Sequence, residues 1–443
     1  MQPFLQRLFY GEISRSVILS RLFASRDFYE HFYLYPLPAL LYYRSTMFGP
    51  FDLIFTIFGF ALSFAPYWAP VFFGIIFWNL WMQYVQMQHL AKIKWVMIGI
   101  RLPKNIMKTP LSMELVLSAL HQTSEGNWYE KTWLGKLKPT FSLEIASIGG
   151  DIHFFIRTSA QFKNFIEAQL YSQFPGIELY EAEDYTEMMD LKGFGSEWEM
   201  WATEFKLTKE DAYPIKTYVD YKLDTAIKKE EEAGGRTDPL SPAVEFMGSI
   251  GKKEQIWFQI LVRATGKRFR KPGKFFEKQD WKAEAKNLVK KIQSKAGEKM
   301  SKADSEAISA IEREVSKFGF DCGIRVVYLG EKGSWTPLNI PGLIGMMKHY
   351  SSDVLNGFKM KDPTGVDYPW QGILWNKVSD QKKHMFNAFK ARGYFYLPFK
   401  KKPFILNTEE LATIYHFPGG MEETPGFITL SSHKAEPPAN LPV

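Results

Sequence analysis

The sequence predicts an α+β protein in which an N-terminal transmembrane helical hairpin precedes two ferredoxin-like (βαββαβ-related) modules. Three observations carry this expectation. Leu53 to Gln88 is a run of 36 residues without Asp, Glu, Lys, Arg or His, longer than the roughly 20 that cross a bilayer once as a helix. From Lys94 onward the pattern changes to short strands alternating with amphipathic helices. A weaker copy of that alternation follows from residue 196. The expected organisation is therefore an amphipathic segment (1–50), the hairpin (51–90), a first module (91–195), a second module (196–400) and a C-terminal motif with an extended tail (401–443).

In the first segment Phe4, Leu5, Leu8, Phe9, Ile13, Val17 and Ile18 recur at helical spacing with Arg7, Arg15 and Arg21 among them. That pattern suits a helix on an anionic membrane surface, or one packed on the protein's own body. Within the uncharged run, Ala65-Pro66-Tyr67-Trp68-Ala69-Pro70 offers a turn: its prolines lack amide donors, and Tyr and Trp suit a headgroup boundary. Each arm is then about 18 residues, roughly 27 Å of helix. Five arginines precede the run and five Lys or Arg follow within residues 89–108, whereas the turn has none. The positive-inside rule then puts both termini and the main body of a two-span protein on the cytoplasmic side. A buried hairpin in a large core, or one span plus an interfacial helix, is the competing reading.

The first module reads as strand Trp95–Leu102, a helix opening at Pro110-Leu111-Ser112, strands 141–148 and 152–157 around Gly149-Gly150, helix 159–174 stopped by Pro175-Gly176, and strand 177–184. The second has strand 199–207, a helix opening at Pro239-Leu240-Ser241, strand 255–264, helix 305–318 and strand 323–329, which copies the first with its second strand reduced or displaced. Helices 343–350 and 380–391 follow, and the last eleven residues include three prolines.

Composition narrows the chemistry. With 443 residues, 16% aromatic and 23% charged, the chain is too apolar to be disordered throughout. One cysteine, Cys322, excludes an intrachain disulfide and any CxxC zinc or redox site. No Walker A loop, GxGxxG, GxSxG or HExxH occurs, and the eight histidines are scattered singly. No catalytic residue, metal ligand or cofactor site is therefore assigned. Glu181, Glu183 and Asp184 read as a solvated strand edge.

Charge supplies the strongest positive signal. Residues 263–302 carry 14 Lys or Arg against four acids, a local excess of +10 in a chain whose net charge is +7. Lys278, Lys282, Lys286 and Lys290 recur every fourth residue, as one helical face would require, and such a face suits phosphates of DNA or of anionic lipid. Phe269, Phe275, Phe276 and Trp281 add aromatic surface. A solvated insertion between two strands explains the same residues without a ligand.

The run Leu406-Asn407-Thr408-Glu409-Glu410-Leu411-Ala412-Thr413-Ile414-Tyr415-His416-Phe417-Pro418, the tail Glu436-Pro437-Pro438-Ala439-Asn440-Leu441-Pro442, and the stretches 141–157 and 165–175 carry a resemblance. Together they resemble the membrane-anchored N-terminal region of conjugation-type (type IV secretion) coupling ATPases of the HerA/FtsK kind. The resemblance implies a non-catalytic anchor in a bacterial inner membrane beside a translocation ATPase, and because the motor would begin where the sequence ends at Val443, that ATPase is either a separate polypeptide or a part cut from this chain. It leaves room for a homo-oligomer. Leu411, Ile414 and Tyr415 share a face at i, i+3, i+4. They pack either within their own domain or against the motor, with Glu409, Glu410 and His416 as a polar rim.

Overall fold

A computed structural model describes residues 50–103, 108–189, 197–224, 238–266, 268–269, 278–296, 300–365, 377–418 and 429–430. The expected amphipathic segment 1–49 and the proline-rich tail from 431 lie outside the described residues. Two compact units divide between Trp81 and Met82.

The first unit contains α1 (Pro50–Ser63) and most of α2 (Ala65–Lys92). Among the described residues no helix is long and apolar enough to cross a membrane, which corrects the expected transmembrane hairpin. Two physical reasons account for the difference. α1 has 14 residues, about 21 Å of helix against a hydrocarbon core of about 30 Å. In α2 the absence of charge concealed polarity, because Asn79, Gln83, Gln86 and Gln88 dilute its C-terminal half. Nor does the chain turn at the prolines: Pro66 sits in the first turn of α2, where a missing N–H costs nothing, and Pro70 lies inside the helix. The two-span inner-membrane placement depended on those helices and is corrected with them.

The second unit is built on one sheet of nine antiparallel strands with a short parallel addition. Its first half contains β1 (Trp95–Pro103), α3 (Pro110–Ala119), α4 (Trp128–Thr132), β2 (Thr140–Ile148), β3 (Asp151–Ser159), α5 (Lys163–Gln173) and β4 (Glu178–Ala182). The second contains β5 (Trp198–Leu207), α6 (Ser241–Gly248), β6 (Glu254–Ala264), a helical insertion, β9 (Gly319–Glu331), α9 (Asn339–Met346) and β10 (Phe358–Lys361). The insertion holds β7 (Arg268–Phe269), β8 (Lys278–Gln279), α7 (Trp281–Ala296) and α8 (Lys302–Val315). After β10 come α10 (Lys377–Lys390), β11 (Phe404–Asn407), α11 (Thr408–Ile414) and β12 (Thr429–Leu430).

Strands run β4-β1-β3-β2 in the first half and β10-β5-β9-β6 in the second, so each half orders its strands fourth, first, third, second. They are nevertheless not two separate modules. β2 pairs with β6 along its whole length, Thr140 opposite Arg263 to Ile148 opposite Gln255, which fuses the halves into one mixed α/β body. The second strand of the later half is neither reduced nor displaced, since β6 occupies it. α8, expected to be a crossover helix of the copied module, belongs to the insertion, and α9 with β10 completes the half.

The two faces of the sheet are covered differently. On one, α3, α5, α6, α9 and α11 bury a continuous apolar core with Ile98, Leu143, Phe154, Ile260 and Val326. On the other, α10 packs Met385, Phe386 and Phe389 on Met97, Phe155, Trp257 and Val327. This second face also buries charge.

Candidate functional site

The helical insertion is a surface feature with two unlike sides. Ala285 and Leu288 of α7 are buried with Ile311 of α8 and Ala212, and Trp281 covers Gly319, where a Cβ would lie 2.9 Å from the indole. The opposite side of α7 exposes Lys286, Lys290, Lys291 and Lys295. Lys282 is partly buried, with its ammonium 5.7 Å from the Trp281 ring. Lys278 is in β8 rather than on the helix, so the four-lysine ladder read from the sequence begins one step later, at Lys282. The side chains of Phe269, Phe275 and Phe276 lie outside the described residues.

The C-terminal motif is placed inside the body. Asn407 caps α11 by accepting from the Glu410 N–H at 2.8 Å, and Glu410 Oε2 accepts from the Asn407 N–H at 2.8 Å, a capping box. Glu409 meets Arg313 Nε of α8 at 3.3 Å and Lys317 Nζ, just beyond that helix, at 2.8 Å. His416 places Nδ1 2.9 Å from the Ala412 carbonyl and Nε2 3.0 Å from the Asp238 carboxylate. Leu411 and Ile414 are fully buried. The helical face was legible, but all five residues named for partner contact point into the protein's own core or its polar supports. All five are buried, so none of them stands at the surface as a rim.

Burial has not satisfied every acid nearby. Both carboxylate oxygens of Glu314 on α8 are buried without a hydrogen-bond partner. Burial, then the charges of Glu410, Asp211 and Glu409, holds its carboxyl well above the usual range. Burial also raises Glu410, to about 8, against the backbone N–H groups of Asn407 and Ile215 that favour its charged form.

Sequence reading missed the second sheet face. In register across it lie Lys361, Glu204, Arg325, Gln259, Glu144 and Phe155, one residue per strand from β10 to β3. Arg325 and Glu204 are 0% and 1% exposed and pair at 3.0 Å. Glu144 accepts from Arg392 Nε at 3.0 Å and Nη2 at 3.1 Å, from Tyr185 at 2.7 Å and from Gln259 at 3.0 Å. Arg392 also donates to both oxygens of Asp184, so that acid is a clamp partner rather than a solvated strand edge. Its backbone has φ 51°, a conformation these bonds must hold in place. Burial works against the ionised form of Glu144 and Asp184, yet the Arg392 charge and hydrogen bonds outweigh it and lower both. A signal existed: single charges inside apolar strands, Glu144 in FSLEIASI and Arg325 in GIRVVYL, are seldom buried unless paired.

Beside this clamp is a cavity of about 310 Å³. Its floor includes Ser142, Arg157 and Leu261, the last turns of α2 form a wall, and residues 391–399 form an aromatic strap. Arg263 braces the strap, with its guanidinium 4.6 Å from the Phe395 ring, and is itself paired to Asp321 at 2.9 Å. Among the described residues no group of three or more His, Cys, Asp or Glu is placed to hold a metal ion. Burial raises the Cys322 thiol well above its usual range.

A comparison with curated proteins gives no match. A family model does match residues 82–426, which cover all nine antiparallel strands of the sheet. Its description is of a domain of unknown function and gives no support to the secretion and conjugation expected from the resemblance, while the expected membrane span is corrected by the described helices, none of which is long and apolar enough to cross. The chain belongs to this family, the domain of unknown function DUF8128.

Proposed function

We propose that the protein is a non-catalytic nucleic-acid-binding module that meets duplex DNA with the outer face of α7. The observation that carries this reading is the unlike pair of sides on that helix. Five lysines stand against Glu284 alone in α7, and Lys286, Lys290, Lys291 and Lys295 are exposed. Lys286 and Lys290 are one turn apart, about 6 Å along the axis. Phosphates reward such a row by releasing counterions, whatever the base sequence.

Anionic lipid is the natural competitor for the same charge, and the packing disfavours it. An interfacial helix inserts an apolar face below the headgroups. The apolar face of α7 is already buried against α8 and Gly319, so among the described side chains of the insertion α7 presents charge without a wedge. The test is fluorescence anisotropy of the full chain with a short duplex from about 50 to 200 mM salt, beside sedimentation with phosphatidylserine vesicles. Binding to the duplex with a steep negative salt slope supports the reading. Sedimentation with vesicles while the duplex stays free, or binding to neither, overturns it.

A further inference from the structure

The cavity under the aromatic strap contains a charge that has no ion-pair or hydrogen-bond partner among the described residues. Arg157 lines it from β3, half-buried, with its guanidinium 4.6 Å from the Trp95 ring. The two nearest carboxylates, Glu144 and Asp184, are both taken by Arg392. Among the described residues no acid forms an ion pair with Arg157 and no side chain or carbonyl accepts from its planar fork. Burial, then repulsion by Arg392, pulls its pKa down to about 10. A guanidinium supplies donors in a geometry that matches a carboxylate two-to-two. Other walls of the cavity are apolar or aromatic, among them Leu90, Leu261 and Phe399.

We propose that this cavity binds a small carboxylate with an apolar body, its head group held by the Arg157 fork and its body against the end of α2 and the strap. The site is separate from the lysine face of α7 and does not depend on it. Charge balance limits the head group. Arg157 and Arg392 together offset Glu144 and Asp184, so a dianion would be repelled, whereas a single negative charge can be held by the fork. Size limits the body. A cavity at the lower end of the ligand-binding range accommodates about ten carbon atoms rather than a full lipid chain. Ser142 Oγ donates to Glu144, which leaves the Arg157 fork as the recognition element.

The test is isothermal titration calorimetry on the full chain with submicellar decanoate and with decanol, its uncharged counterpart. Decanoate should bind, decanol at least about tenfold more weakly. Arg157→Met should weaken decanoate by about tenfold or more, and Arg157→Lys should retain part of the affinity. Leu90→Trp, which fills the apolar wall and leaves the arginine in place, should block binding without lowering the melting temperature. The proposal is overturned if wild type ignores decanoate, if decanol binds as tightly, or if decanoate binding survives Arg157→Met or Leu90→Trp.

Discussion

The two halves of the sheet share a strand order and differ in how they join their central strands. β2 and β3 are linked by Gly149 and Gly150 alone, both with positive φ, 63° and 93°. A Cβ on Gly150 would lie 3.1 Å from the Ile250 carbonyl, so that turn has no room for elaboration. β6 and β9, in the matching places, are linked by the segment that holds α7 and α8. The strand order is therefore reached with two residues, and the insertion answers to something other than topology. Its inner helix is structural, because Arg313 of α8 and Lys317 just beyond it pair with Glu409 and Glu114. The outer face of α7 has no such duty, and there the exposed lysines remain.

Breaking the tie between the halves should have the largest effect. Arg392, which follows α10, clamps Glu144 of β2 and Asp184 after β4. Arg392→Met leaves Glu144 buried and uncompensated, and chemical denaturation should show a loss of about 3–5 kcal/mol. Because both carboxyls are lowered in the fold, their contribution is present above the ordinary carboxylate range and is lost as pH falls through their depressed values. The wild type should therefore lose stability in acid faster than the variant.

Breaking the tight turn comes next. Gly150→Val forces a β-branched residue to φ 93° against a carbonyl and should cost about 1–3 kcal/mol in the same measurement. A smaller change of opposite sign is expected in the insertion. Glu314 is raised in the fold, so its stability is complete below the ordinary carboxylate range and is lost as pH rises through the raised value. Glu314→Gln should be more stable than wild type by about 1–2 kcal/mol near pH 8 and converge with it near pH 4. Thermal melts across pH would show this, and parallel curves would contradict it.

Parts of this architecture were legible in the sequence because local physics decides them. Alternation and the Gly149-Gly150 turn place β2 and β3, and Pro110 marks the start of α3, each within a few residues of the observed bounds. Pairing between β2 and β6 was not legible, since two strand edges separated by a hundred residues carry no mark of each other. The apolar helices were misread because a missing charge is not the same as hydrophobicity, as Asn79 and Gln83 show. Of the candidate sites, the lysine row was visible as charge at helical spacing. The clamp and the cavity were not, because Glu144, Arg157 and Arg392 meet only once the sheet is assembled. The α11 motif misled for a related reason: its polar residues face acceptors and donors inside the body rather than solvent.

The most direct test of the account is the salt dependence of duplex binding by the variant Lys286→Gln, Lys290→Gln, Lys291→Gln, Lys295→Gln. These side chains are exposed, so stability should change by less than about 0.5 kcal/mol per site. The account predicts weaker binding and a log–log salt slope shallower by about one for each lysine that meets a phosphate. An unchanged slope and affinity in the folded variant would contradict it.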